Sequence, residues 1–225
     1  MLQAKHYTVV ERGGWRTFAI PVRQDNFVYL LCHGNDAILV DAGAVDPIVA
    51  CLREKQLFLR DVLLTHQHQD HTAGYDALMA GVDPVDSLEH MPFERLSLAG
   101  HTAKDVGYFF PDAGVVCTGD CLINGACGRV LGGSLEDLYQ SLQQIKMLSM
   151  DTLVLGGHDY LVDNLHFALQ NQPGNVAMQA RLSRYAVDPA SALFVTLEEE
   201  MATNPFLQSE TFDAFARLRK AKDRY

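Results

Sequence analysis

Residues 65–71 read Thr-His-Gln-His-Gln-Asp-His. Four side chains that bind metals, His66, His68, Asp70 and His71, fall within six residues. Imidazole and carboxylate are the donors that first-row divalent ions take up. Two histidines at i and i+2 can point the same way on an extended turn. The Asp and His that follow can reach a second ion nearby. The bland alternative is a surface turn that happens to be rich in His. Against it, the apolar run Asp-Val-Leu-Leu-Thr comes immediately before, so the loop leaves a buried strand, where sites are usually built.

Further donors follow at the ends of other apolar runs. His101 lies in Ala-Gly-His-Thr, Asp120 in Cys-Thr-Gly-Asp-Cys and His158 in Leu-Gly-Gly-His-Asp. Asp120 and His158 each follow a β-like run and a glycine, which permits a tight turn. A lone His after a strand is more often structural. Seven such residues converge when the strands belong to packed sheets.

The elements that must position them are legible in outline. Short β-like runs cover 7–11, 15–22, 27–33 and 36–40, with Gly13-Gly14 and Gly34-Asn35 as turns. Asp46-Pro47 opens a helix to about Lys55. A strand over 61–65 delivers the His loop, and a helical piece follows at 74–80. Between His71 and His101 lie only 29 residues, with Pro84 and Pro92 and little regular structure. Leu135, Leu138, Leu142, Ile145 and Leu148 recur at helical steps, so 135–148 should cover a sheet. Strands alternating with helices up to His158 predict a layered α/β domain. After it come helical patterns at 160–170, at 175–186 and from about Glu210. The pattern predicts a donor-bearing domain over 1–158 and a helical appendage over 159–225.

A chain of 225 residues, 48% hydrophobic and 20% charged, can bury a sizeable core. Its formal net charge of −10 argues against nucleic-acid binding. No stretch is apolar enough for a membrane span, and Met-Leu-Gln-Ala-Lys-His-Tyr reads as no signal peptide. Five cysteines, Cys32, Cys51, Cys117, Cys121 and Cys127, form no Cys-x-x-Cys pair. That count fits a reducing cytoplasm. Cys121 and Cys127 lie near the metal segment, and packing is the favoured reading for both. His6, His33, His90 and His166 have no motif context and receive no role.

The four donor segments, in this order, resemble the metallo-β-lactamase superfamily. The resemblance implies a four-layer αββα sandwich with a metal site along one edge. It assigns His66, His68 and His101 to a first ion, and Asp70, His71 and His158 to a second. Asp120 would bridge the two. Residues 117–129, 157–169, Thr203–Leu207 and Arg219–Asp223 resemble glyoxalase II, the hydroxyacylglutathione hydrolases. That likeness spans nearly the whole chain, including the helical C-terminal domain. It implies Arg129, Tyr160, Arg219 and Lys222 as substrate contacts.

The chain also departs from that family. The segment between His71 and His101 is shorter, and Lys104-Asp105 replaces the usual Gly-His. Leu131 stands where many members carry an aromatic glutathione contact, and about a dozen residues precede the first family strand. These changes bear on the thiol carrier and acyl group, not on the metal chemistry.

The expected activity is hydrolysis of an S-2-hydroxyacylglutathione such as S-lactoylglutathione. A hydroxide held between two divalent ions would attack the thioester carbonyl, with Asp70 and Asp120 setting the geometry. Zinc is the leading metal, with iron and manganese accepted by the same donors. The alternatives are an iron-dependent glutathione persulfide dioxygenase, a hydrolase of another thiol ester, or a non-catalytic binding domain. The dioxygenases lack the helical C-terminal domain, and degenerate members lose ligands that this chain keeps. A β-lactamase would leave the basic tail without purpose. That tail, residues 217–225, carries Arg217, Arg219, Lys220, Lys222 and Arg224 against one acid, Asp223. Arg219 and Lys222, at i and i+3, share a helix face and could receive the carboxylates of an anionic substrate.

Overall fold

The run Asn26–Cys32 is buried at every position, and its two faces pack into different cores. Phe27, Tyr29 and Leu31 meet a second sheet, whereas Val28, Leu30 and Cys32 meet helices. A strand covered on both sides loses the polar half of its alternation. That one strand therefore already implies layers above and below it. The computed structural model describes residues 7–83 and 87–225. His6 and Pro84 lie outside the described residues.

The first sheet is an antiparallel meander of β1 (Thr8–Arg12), β2 (Trp15–Val22), β3 (Asn26–His33) and β4 (Asp36–Val40). Helix α1 (Asp46–Lys55) then crosses over to β5 (Phe58–Leu63), which pairs with β4 in parallel. The expected strand at 61–65 thus ends two residues early, and Thr65 belongs to the loop. Short helices α2 (Gln69–Thr72) and α3 (Tyr75–Met79) follow.

The second sheet contains β6 (Glu94–Ser97), β7 (Val106–Phe110) and β8 (Val115–Gly119). The chain then makes a small hairpin, β9 (Leu122–Ile123) and β10 (Ala126–Cys127). Helix α4 (Leu135–Ile145) leads to β11 (Leu153–Gly156), parallel to β8. Ser134 caps α4 by accepting the Asp137 N–H at 3.0 Å. The helix expected to reach 148 ends at 145, and turns carry the chain on through Leu148.

The region after His158 holds α5 (Leu161–Asn171), α6 (Val176–Val187), a 3-10 turn (Pro189–Ala192), α7 (Leu197–Thr203) and α8 (Phe212–Lys222). It also supplies β12 (Val195–Thr196), an edge strand paired with β11. The stretch expected to be a helical appendage therefore also extends the second sheet.

Three apolar layers result. The sandwich core joins Trp15, Tyr29 and Val40 to Phe110, Val115 and Leu155. Ile48 of α1 and Leu78 of α3 cover the outside of the first sheet. Leu138, Leu142 and Ile145 of α4 cover the second, in one cluster with Phe167, Leu197, Phe206 and Phe215 from the C-terminal helices. The C-terminal elements thus share a core with the sheet that carries the later donors. Among the described residues, no helix is long and apolar enough to cross a membrane.

Candidate metal centre

The candidate donors collect at one edge of the sandwich because they follow strands of both sheets. His66, His68, Asp70 and His71 come after β5. His101 sits between β6 and β7, Asp120 directly after β8, and His158 two residues after β11. Gly157 makes that last approach possible. A Cβ there would lie 2.6 Å from both Asp120 Oδ1 and the His71 ring.

The seven residues form two groups, His66, His68, His101 and Asp120, and Asp70, His71 and His158, each with donor atoms within 4.8 Å of one another. In the first, His68 Nδ1 stands 3.0 Å from His66 Nε2 and 3.0 Å from His101 Nε2. In the second, Asp70 Oδ2 lies 3.4 Å from His158 Nε2 and 3.7 Å from His71 Nε2. Asp120 reaches both. Its Oδ2 is 3.5 Å from His101 Nε2 and 3.4 Å from His158 Nε2, and its Oδ1 is 3.4 Å from His71 Nε2.

The far sides of the rings decide which nitrogen faces inward. His101 Nδ1 donates to the Arg129 carbonyl at 2.7 Å, and His71 Nδ1 to Asp41 Oδ2 at 2.8 Å. His158 Nδ1 faces Asp25 Oδ1 at 3.2 Å. These partners only accept, so each ring keeps a proton on Nδ1 and turns Nε2 into the cluster, where a neutral ring offers a lone pair. Asp41 is further fixed by accepting Thr65 N–H at 2.8 Å and the Thr65 hydroxyl at 2.9 Å. Asn26 Nδ2 donates to Asp70 Oδ2 at 2.8 Å.

Some of these converging atoms are left without a hydrogen-bond partner. His71 Nε2 and Asp120 Oδ1 are buried with no hydrogen-bond partner. Such atoms are rare in folded proteins and call for a partner. A divalent cation satisfies both, and the His/Asp donor set suits one. Without an ion the charges balance through protons instead. Burial opposes charge on His71, yet Asp41 and Asp120 raise its pKa to about 10. Burial also opposes charge on Asp120, but His158 and His71 hold its carboxyl well below the usual range. Burial and neighbouring His71 take His66 down to about 4. Where no ion sits, a proton on His71 offsets the buried carboxylates. The structure fits two divalent ions.

The cluster opens onto a cavity of about 450 Å³ lined by His101, Asp120 and His158 at one end. Arg129, Tyr160, Arg219 and Lys222 also line it. The Tyr160 ring stacks on His158, with centroids 4.9 Å apart. Lys222 is half-buried, with Nζ 3.3 Å from the Asp163 carbonyl and above the Phe167 and Tyr225 rings. Arg219 is placed differently. It is 2% exposed, donates to the Cys127 carbonyl at 2.7 Å and pairs with Asp223 at 3.0 Å. Its donors hold chain rather than face the cavity. Leu131 is exposed on the rim. Cys121 and Cys127 are buried, and burial keeps both thiols protonated, Cys127 at about 11. His33 and His90 lie near one another away from this edge, where His90 meets Asp36 at 2.8 Å.

Sequence reasoning missed Asp41, Thr65, Asp25 and Asn26. Asp41 carried a usable signal, because it follows the apolar run Ala-Ile-Leu-Val as Asp120 follows its own strand. Asp25 precedes β3 and Asn26 opens it, and neither carried one.

Two family descriptions match the chain. Residues 23–91 match the "Metallo-beta-lactamase superfamily" and residues 159–225 the "Hydroxyacylglutathione hydrolase C-terminus". A hydroxyacylglutathione hydrolase of Haemophilus ducreyi is 32% identical, with 92% of this chain and 98% of that protein covered. The chain belongs to the hydroxyacylglutathione hydrolase family. One from Acidiphilium cryptum is also 32% identical, over 96% of this chain and 99% of that protein. Among solved structures, the BLEG-1 B3 metallo-beta-lactamase superposes with a TM-score of 0.65 at 21% identity, covering 86% of this chain and 100% of that one. ETHE1 from Myxococcus xanthus gives 0.62 at 22% identity, over 96% of this chain and 90% of that one. At such identities the likeness shows the fold, a metallo-β-lactamase sandwich, which this hydroxyacylglutathione hydrolase family member shares.

Proposed function

We propose that this chain is a binuclear metal-dependent thioester hydrolase. Its substrate is an S-2-hydroxyacylglutathione, with S-lactoylglutathione the leading candidate, and its products are glutathione and a 2-hydroxy acid. The observation that carries the reading is the two-part donor cluster sharing Asp120 and opening on a cavity with basic groups. His66, His68, His101 and Asp120 would hold one ion, and Asp70, His71, His158 and Asp120 the other. Zinc suits these donors best, and iron and manganese share the preference. Bound divalent ions supply acidified water and a polarised carbonyl.

The remaining roles belong to the chain itself. Asp70, its Oδ2 fixed by Asn26, is placed to accept a hydrogen bond from the attacking water. Burial and nearby Asp25 raise the Tyr160 hydroxyl above its usual range, so it stays a donor toward substrate. Arg129 and Lys222 offer positive charge to the carboxylates of glutathione. Arg219 supports them by fixing the Cys127–Gly128 backbone. Cytoplasmic residence suits such a substrate and the free cysteines.

The test is a hydrolysis screen of acyl-thioesters of glutathione, coenzyme A and small thiols on metal-analysed protein. Gently purified protein should carry close to two metals per chain and cleave glutathione thioesters fastest. Saturation at one ion under zinc, iron and manganese supply alike would refute the binuclear reading. Absence of turnover above a metal-free control, with metals bound, would refute the activity.

Lys222 adds a pH signature. Burial first, then Arg219 and Arg129, lower its pKa to about 8, with Asp163 pulling the other way. The group is therefore charged below that pH and neutral above it. A carboxylate ligand favours the charged form. KM for a glutathione thioester should rise as pH climbs through about 8, and Lys222→Met should flatten that rise. A small uncharged thioester should show no such dependence. An unchanged KM profile in Lys222→Met would remove Lys222 from the substrate site.

A further inference from the structure

Residues 125–129 link the hairpin β9–β10 to the metal centre, and they are gripped from the C-terminal region. Glu200 on α7 accepts the Gly125 N–H at 3.1 and 3.2 Å. Asn204 Nδ2 donates to the Ala126 carbonyl at 3.1 Å, and Arg219 to the Cys127 carbonyl at 2.7 Å. The three side chains are 1%, 0% and 2% exposed. Glu200 is anchored in turn by Arg181 Nη2 at 2.5 Å and by Asn204 Nδ2 at 3.0 Å. Arg181, 1% exposed, also donates to Thr203 Oγ1 at 2.6 Å.

The other end of the same run touches the donors. Gly128 lies so close to Asp120 that a Cβ would sit 2.1 Å from the Asp120 carbonyl oxygen and 3.1 Å from His101 Nδ1. The Arg129 carbonyl accepts the His101 Nδ1–H at 2.7 Å, and Leu131 N–H donates back to the His101 carbonyl at 2.7 Å. That carbonyl fixes both the tautomer and the direction of the His101 ring. Partners of this kind, one step removed from a metal, tune its affinity. A buried ion pair by itself adds little stability over an apolar pair of similar size. Here the free lone pairs of the pair are spent on the Gly125 N–H and Asn204.

We propose that the buried Arg181–Glu200–Asn204 network is a positioning device for the metal centre. By holding Gly125 and Ala126, it sets where the Arg129 carbonyl stands, and through it the His101 ring and the turn at Asp120. The helical region therefore builds part of the metal site as well as the substrate cavity. This rests on the reading of His101 and Asp120 as metal ligands.

Two double variants separate positioning from stability. Arg181→Met with Glu200→Gln removes the buried charges and keeps an acceptor for Gly125. Arg181→Met with Glu200→Leu removes both. Asn204→Ala removes the Ala126 tether and leaves the ion pair. Each is compared with wild type by zinc competition against a chromophoric chelator, with circular dichroism to confirm folding. The Leu-bearing pair and Asn204→Ala should bind one of two ions about tenfold or more weaker. The Gln-bearing pair should stay near wild type. Wild-type affinity in all three variants, or equal weakening in both double variants, overturns the proposal. If the Leu-bearing pair does not fold, Asn204→Ala decides by the same criterion. A wild-type chain that fails to bind two ions defeats the metal reading itself, which is a different result from variants that match it.

Discussion

Asp120→Ala is expected to lose most bound metal and nearly all thioester turnover while remaining folded. The Asp120 carboxylate stands within 3.4–3.5 Å of His71, His101 and His158, so it reaches both donor groups. Removing a ligand outright should exceed the ~10–100-fold loss of affinity that removal of an outer partner brings. The charge balance changes as well. Asp120 is among the groups that raise the pKa of His71 and His158. Elemental analysis after dialysis against a metal buffer checks the prediction, with circular dichroism as the folding control. Asp120→Asn keeps one oxygen and should fall between alanine and wild type. Retention of two ions by Asp120→Ala would mean the centre needs no shared carboxylate.

Asp41→Asn should weaken the ion proposed for Asp70, His71 and His158 by ~10–100-fold, because Asp41 holds the far side of the His71 ring. The argument is one of hydrogen-bond polarity. Asp41 Oδ1 accepts the Thr65 backbone N–H at 2.8 Å, and Oδ2 accepts His71 Nδ1–H at 2.8 Å. Asparagine has one acceptor and one donor in those places. The backbone N–H cannot reverse, so the amide oxygen must serve Thr65. The amide NH2 then faces His71 Nδ1, which must present a lone pair. His71 would carry its proton on Nε2, pointed into the cluster where an ion should bind. Metal content at limiting zinc is the measurement. A variant that takes up both ions as tightly as wild type would show that His71 chooses its tautomer by other means.

Those two residues show what the sequence could and could not disclose. Asp120 was legible because its chemistry lies in its type and place, a carboxylate after an apolar run and a glycine. The His loop was legible for the same reason, as four donors within one turn. Asp41 has the same local setting, but its importance comes from a partner 30 residues away. Asp25 and Asn26 bond residues 133 and 44 positions distant and sit in no pattern at all. The basic tail was visible as composition. Whether a guanidinium there turns to the cavity or to the backbone depends on packing, and Arg219 turns to the backbone. Glu200 hides in the run Glu198-Glu199-Glu200, which reads as an exposed first turn of a helix. Of the elements, long alternating or doubly covered strands were clear. The edge strand Val195–Thr196 has only two residues, too few for any period to register.

The placement of the donors on loops from both sheets gives ion binding a second meaning. An ion held jointly by Asp120 or His158 and by His71 would clasp the two sheets at one edge. Only the folded array offers that set of atoms, so mass action applies. At a free concentration 100 times the dissociation constant, one such ion adds about 2.7 kcal/mol to folding stability. Melting temperature would then follow metal supply, and a chelator would act as a mild denaturant. The lifetime of this protein in a cell would track how well that cell is fed with the ion.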